Sequence, residues 1–250
     1  MIRGTGFIER PDAHRDPKES AFAFTGAARV PDEYLPGTPL WYVDQGPTNS
    51  CTGRAVVKAH FLWCADRGLD PVKLSADFVY AMGRLEDGLE HADKGAYPDS
   101  VLRAFRKRGA CPESLWPSDD PSTVNDEPNG RALMRARDNG SDRVTWRAII
   151  GSPAIRYELI REAIGTGSKV VGGFAIDRAF QANDGPELIA PPAGDIIGNH
   201  MVTLDGYRDD GAVRCDHSYG RTWRTDGRAF LTREFVELVR QPYALDWVAS

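Results

Sequence analysis

The chain has 250 residues, 41% hydrophobic and 27% charged, enough for one large domain or two lobes sharing a cleft. With 31 Lys plus Arg against 36 Asp plus Glu the formal charge is −5, which argues against a nucleic-acid partner, because phosphate binding needs a basic surface. No run of 18 apolar residues occurs and Met1 to Arg10 lacks an apolar leader core, so neither membrane insertion nor a secretory signal is expected. Cys51, Cys64, Cys111 and Cys215 match neither a dense disulfide framework nor the paired CxxC spacing of structural zinc. They read as free thiols in a reducing location, the cytoplasm or an intracellularly assembled particle, with no metal and no cofactor implied.

In chain order, residues 1–28 are polar and hold no period, so they read as an extension or arm that packs on the body or docks on a larger assembly. The body is 29–250. Pro31, Pro36, Gly37 and Pro39 keep its first stretch extended. Ala55, Val56, Ala59, Leu62 and Trp63 recur at helical spacing and predict a buried helix from Cys51 to Asp66, closed by Gly68. Ser75 caps a second helix, and Asp99 or Ser100 starts a third that ends at Gly109. A short helix is expected near Arg131 to Arg137. Beyond about residue 141 strands dominate: Arg143 to Ile150, Lys169 to Ile176, His200 to Tyr207, Ala212 to His217, Arg228 to Leu231 and Ala244 to Val248. One helix intervenes, capped by Ser152-Pro153, with Ile155, Leu159, Ile160 and Ala163 inward. A helical part at about 45–140 and a β-rich part at about 141–250 make an α+β protein. Gly172-Gly173 in a strand suggests close approach to a cleft.

Cys51 stands at the predicted N-terminus of a buried helix, where unpaired N–H groups and the helix dipole favour an anion. A thiol is a nucleophile only as thiolate, so this is the cysteine best placed to react. Cys64, Cys111 and Cys215 read as packing residues. Gln45, six residues upstream, can donate its side-chain amide to an oxyanion forming beside the thiol, together with the Cys51 N–H.

These residues resemble the papain-like cysteine peptidase family. Gln45-Gly46 followed by Ser50-Cys51 is similar to its nucleophile loop, and Asn199-His200 through Gly206-Tyr207 to its histidine strand. Asp216-His217-Ser218-Tyr219-Gly220-Arg221-Thr222-Trp223 resembles its Asn-Ser-Trp-Gly segment. Leu74 to Tyr80 resembles its second helix start, and Gly109 to Pro117 a stretch of bacterial and viral branches. The resemblance implies a two-lobed fold with a helical lobe carrying Cys51, an antiparallel β-rich lobe carrying His200, and a peptide or protein substrate between them. It implies a hydrolase in which His200 serves as base, Cys51 attacks a carbonyl and Gln45 holds the oxyanion.

The chain departs from the family where asparagine usually orients the histidine: His217 occupies that place, and Tyr219 stands where a shielding tryptophan is usual. A neutral imidazole can orient another, and some cell-wall peptidases of this core use a Cys-His-His arrangement. Asp216 would take the role only with a one-residue slip of the strand. Thr48 stands where secreted members carry a disulfide cysteine, and the segment before Val30 is short for a helical propeptide, leaving control to the arm, a partner or access. Two alternatives therefore stand beside a general peptidase. One is a catalytically retired module with a binding or structural role. The other is a cell-wall peptide hydrolase with a Cys51, His200 and His217 triad.

Overall fold

The structure is a computed structural model that describes residues 3–11, 30–37, 41–139 and 144–247. Residues 1–2 and 12–28 of the expected arm lie outside the described residues, as do Pro39 and the expected strand ends at Arg143 and Val248.

Four helices lead: α1 (Cys51–Asp66), α2 (Ala76–Leu85), α3 (Pro98–Arg108) and α4 (Gly130–Ala136). Short polar side chains set their starts. Ser75 accepts from the Phe78 amide at 3.0 Å to open α2, and Asn129 accepts from Ala132 at 2.9 Å to open α4. The third helix begins one residue earlier than expected, because Pro98 supplies a preset φ and lacks the N–H that would go unpaired there. Gly109 ends it at φ +72°, where a Cβ would be strained.

The second half holds β1 (Val144–Ala148), α5 (Pro153–Gly165), β2 (Lys169–Ile176), α6 (Arg178–Gln181), β3 (Leu188–Ile189), β4 (Gly198–Tyr207), β5 (Val213–Asp216), β6 (Arg228–Leu231), α7 (Arg233–Glu237) and β7 (Arg240–Trp247). The sheet order is β1-β7-β2-β4-β5-β6-β3, antiparallel at every step except the two-residue β3–β6 pair. The sequence gives no period for α6, β3 and α7, which are too short to show one. Ile155 is 53% exposed rather than inward, since it lies in the first turn of α5 ahead of the buried Leu159, Ile160 and Ala163.

Two apolar clusters result. One joins α1, α2 and α3 to the β1–β7 end of the sheet, and the other lies between the sheet and α5 and α7. The first helix spans the junction, lying against β4 and β2. Among the described residues no helix is long and apolar enough to cross a membrane.

Candidate active site

Cys51 is the first residue of α1 and is fully buried. The loop before it is bolted down by polar groups. Asn49 donates its backbone N–H to Asp93 at 3.0 Å, and the Tyr80 hydroxyl donates to the same carboxylate at 2.7 Å. Arg54, one turn along α1, donates to the Ser50 hydroxyl at 3.0 Å and pairs with Asp77 at 3.2 Å, both charges buried. The loop ahead of the thiol is thus fixed by interactions whose loss would strand buried charge.

Gln45 is 2% exposed, and both ends of its amide are engaged. Its Oε1 accepts from the Ser218 hydroxyl at 2.7 Å, and the Gln45 backbone N–H donates to the Ser218 carbonyl at 3.0 Å. This leaves Nε2 facing the cleft, where it donates to the Gly4 carbonyl at 2.9 Å and to Thr48 at 2.8 Å. Ser218 therefore seats the amide across the lobe boundary, a role that emerges only when loop and strand meet.

His200 lies on β4, paired across the sheet with Phe174 of β2, and is fully buried. Its Nδ1 is 3.4 Å from the Tyr219 hydroxyl, and its Nε2 has no partner. Among the described residues no hydrogen bond joins the His200 ring to the Cys51 thiol. His217, just beyond β5, stacks on His200 with centroids 4.5 Å apart and planes at 24°. It stacks on Trp223 at 4.2 Å and 23° on its other side. Among the described residues neither His217 nitrogen is paired, so it meets His200 face to face rather than through the far nitrogen. Asp216 turns the other way, to Lys58 at 3.0 Å and Arg228 at 2.8 Å. The fold thus gathers Cys51, Gln45, His200 and His217 around one cleft, with His217 in a ring stack.

Residues 3–10 of the arm occupy that cleft. The Phe7 amide donates to the Asn199 carbonyl at 3.3 Å, Ile8 to Ala96 at 3.2 Å, and Ala96 back to Gly6 at 2.9 Å. Gly4 and Gly6 pass so close to the loop ahead of Cys51 that a Cβ on Gly6 would stand 1.5 Å from the Asn49 backbone oxygen. Phe7 is 4% exposed and rests on Gly173, whose missing side chain makes its seat. Gly172 faces the other side of the sheet, towards Val239 and Pro242, so of the two glycines expected at the cleft only Gly173 approaches it. Arg3 lies over the Tyr219 ring at 4.7 Å, and Arg10 pairs with Asp87 at 2.9 Å and Asp99 at 2.7 Å. Two glycines flanking Thr5, followed by Phe7-Ile8, are the sequence signal of this binding segment, too short to carry a period.

The electrostatics suit a resting state. Burial pushes the Cys51 thiol up to about 11, against the pull of backbone N–H groups at Met201, Gly6 and Thr52. Burial, with the nearby Arg3 charge, lowers His200 to about 3. Burial likewise holds His217 well below its ordinary value, reinforced by His200 and Arg3. With the arm in place thiol and imidazole are both neutral at pH 7, and the arm's own arginine opposes the imidazolium.

No protein-family model matches the chain, and no curated protein matches it by sequence. Its fold is similar to xylellain, a cysteine protease from Xylella fastidiosa, at a TM-score of 0.84 and 22% identity over 99% of this chain and 97% of that one. It is similar to procathepsin B S9 from Trypanosoma congolense at a TM-score of 0.74 and 15% identity, covering 99% and 87%. Bromelain from Ananas comosus, solved with the E64 inhibitor, gives 0.64 and 13%, covering 88% and 100%. With a helix-led first lobe, a β-rich second lobe and this likeness along nearly its whole length, the protein has the papain-like fold.

Proposed function

We propose that the protein is a cysteine peptidase held latent by its own N-terminal arm. The observation that carries this is the pairing of Gln45 Nε2 with the Gly4 carbonyl beside the buried Cys51 thiol. A carbonyl oxygen already sits on the donor that would hold an oxyanion. When the arm leaves, a substrate carbonyl takes that place, and solvent entering the cleft relieves the desolvation of thiol and imidazole. His200 then accepts the Cys51 proton as sulfur attacks the carbonyl carbon, and Gln45 with the Cys51 N–H holds the oxyanion. The proton passes from His200 to the departing amine, and water hydrolyses the thioester. The arm itself presents the thiol with the Gly6 N–H.

The test uses the full chain with Phe7→Ala to loosen the arm. A thiol-directed epoxide is expected to add once, at Cys51, and a peptide library to be cleaved, with both lost in Cys51→Ala. Absence of labelling and cleavage in the loosened chain sinks the proposal. One observation favours a second reading, a retired module with a binding role: His200 and His217 share no hydrogen bond. The same experiment separates them, and peptidoglycan added to the substrate panel tests cell-wall cleavage.

A further inference from the structure

Lys58 sits two turns beyond Cys51 on α1, on the same face, and its side chain is 7% exposed. Its ammonium donates to the Trp41 carbonyl and pairs with Asp216 Oδ1 at 3.0 Å. The other Asp216 oxygen accepts from Arg228 Nε at 2.8 Å. Asp216 ends β5, and the next residue is the stacked His217. One turn back on the helix, the Ala55 carbonyl accepts from the Thr203 hydroxyl at 2.9 Å, and Thr203 is the β4 partner of Asp216. The helix that carries the nucleophile therefore grips both strand segments that carry the imidazoles, by one neutral and one ionic contact. Lys58, Asp216 and His217 also line a single cavity of about 10 Å³, room for no more than one water, so little slack separates the ammonium from the ring. Among the described residues neither His217 nitrogen has a hydrogen-bond partner, so packing neighbours set where the ring lies.

We propose that Lys58 is a positioning residue for the imidazole pair, acting through Asp216 on the His217 ring and on the separation of Cys51 from His200. The proposal rests on the peptidase reading above. Lys58 is buried against Trp41 and Asp216, and among the described residues none of its contacts is with the arm, so it is not a group that touches substrate. Without the ammonium, Asp216 keeps only Arg228 and follows it, carrying the backbone of His217 with it. A shift of that kind changes the attack geometry and hence turnover, while leaving the substrate seat unaltered.

The experiment compares Lys58→Met, Asp216→Asn and the double variant, each in the full chain carrying Phe7→Ala. Each single variant is expected to lower kcat about tenfold or more with KM changed less than about threefold. The double variant is expected to be no worse than either single one, since the two residues form one device. The His217 ring nitrogens, read by long-range proton–nitrogen NMR, are expected to shift in all three. A fall in melting temperature with kcat and ring shifts unchanged would reduce Lys58 to a structural tie and overturn the proposal. If Lys58→Met does not fold, Asp216→Asn decides, because it keeps the shape and leaves Lys58 its Trp41 partner. If the parent neither cleaves peptides nor reacts at Cys51, the peptidase reading fails, and the proposal of a catalytic positioning role falls with it. The His217 shifts in Asp216→Asn would still tell whether the ion pair sets the ring.

Discussion

The two walls of the cleft are built by opposite means. Around Cys51 the loop is saturated with directional bonds: Asn49 and Tyr80 to Asp93, Arg54 to Ser50 and Asp77, Gln45 to Ser218. Around His200 three of the four nitrogens of the two imidazoles have no partner among the described residues, and order comes from the stack of His200, His217 and Trp223, with the Tyr219 ring 4.1 Å from that of His217. Hydrogen bonds fix direction sharply, whereas ring stacking fixes a plane and tolerates sliding. The Cys51 side is therefore preorganised, and the His200 side depends on what presses on it.

The largest effect should come from removing the proposed nucleophile. Cys51→Ala is expected to lower peptide cleavage by at least about a thousandfold, and His200→Ala by a comparable factor, because the two act as a unit. A steady-state assay with the loosened arm reads both. Retention of most of the rate in Cys51→Ala would break the comparison at its root, since the bolted wall would then be ordering something other than a nucleophile.

Next in size is the arm. Burying Phe7 against Gly173 contributes on the order of 3 kcal/mol, so Phe7→Ala is expected to raise epoxide labelling of Cys51 roughly a hundredfold. Gly6→Val, which drives a side chain into Asn49, should do the same with no change at the Phe7 seat. Labelling rates that match the parent in both would mean that the arm does not limit access.

Much of this arrangement was legible in the residues and some was not. The first helix was readable to its end residues because its apolar positions repeat at 3.6 and a polar loop precedes it. The β4 strand was readable from His200 to Gly206-Tyr207, though it begins at Gly198, where glycine carries no strand signal. Spacing could place Gln45 near the thiol but not its seat on Ser218, which lies 173 residues away. His217 was identifiable by its order in the chain. Its stacking was not, because ring orientation is decided by Trp223, from the loop after β5, and Phe180, from α6, which the fold brings to it. The arm's place in the cleft rests on glycines and one phenylalanine, a pattern without period.

The stacked wall can be sharpened with His217→Phe. If the ring serves by packing, phenylalanine keeps the stack and removes two buried unpaired nitrogens. Turnover should then stay within about threefold and stability rise by about 1–2 kcal/mol, read by urea unfolding. A loss of turnover of about a hundredfold with the fold intact would instead show that a His217 nitrogen engages His200 during the reaction.

The smallest effect is one histidine's share of a slope. His60 is lowered by burial to about 4, His200 to about 3 and His217 well below 6.5, so the native state refuses protons that the unfolded chain accepts. A native pKa below the unfolded value leaves stability intact above about pH 6.5 and removes it as pH falls toward the native values. Each such histidine contributes a slope approaching about 1.4 kcal/mol per pH unit, or roughly 4 for the three together, once the pH is well below 6.5. The range from about 6.5 to 5 isolates them, because most carboxylates are still ionised there. Between those limits the melting temperature should drop steeply, and His217→Phe should remove about a third of the slope while His200 and His60 supply the rest. An unchanged slope in that variant would mean that His217 takes up its proton within the fold, and that the stacked wall is more open to water than its burial implies.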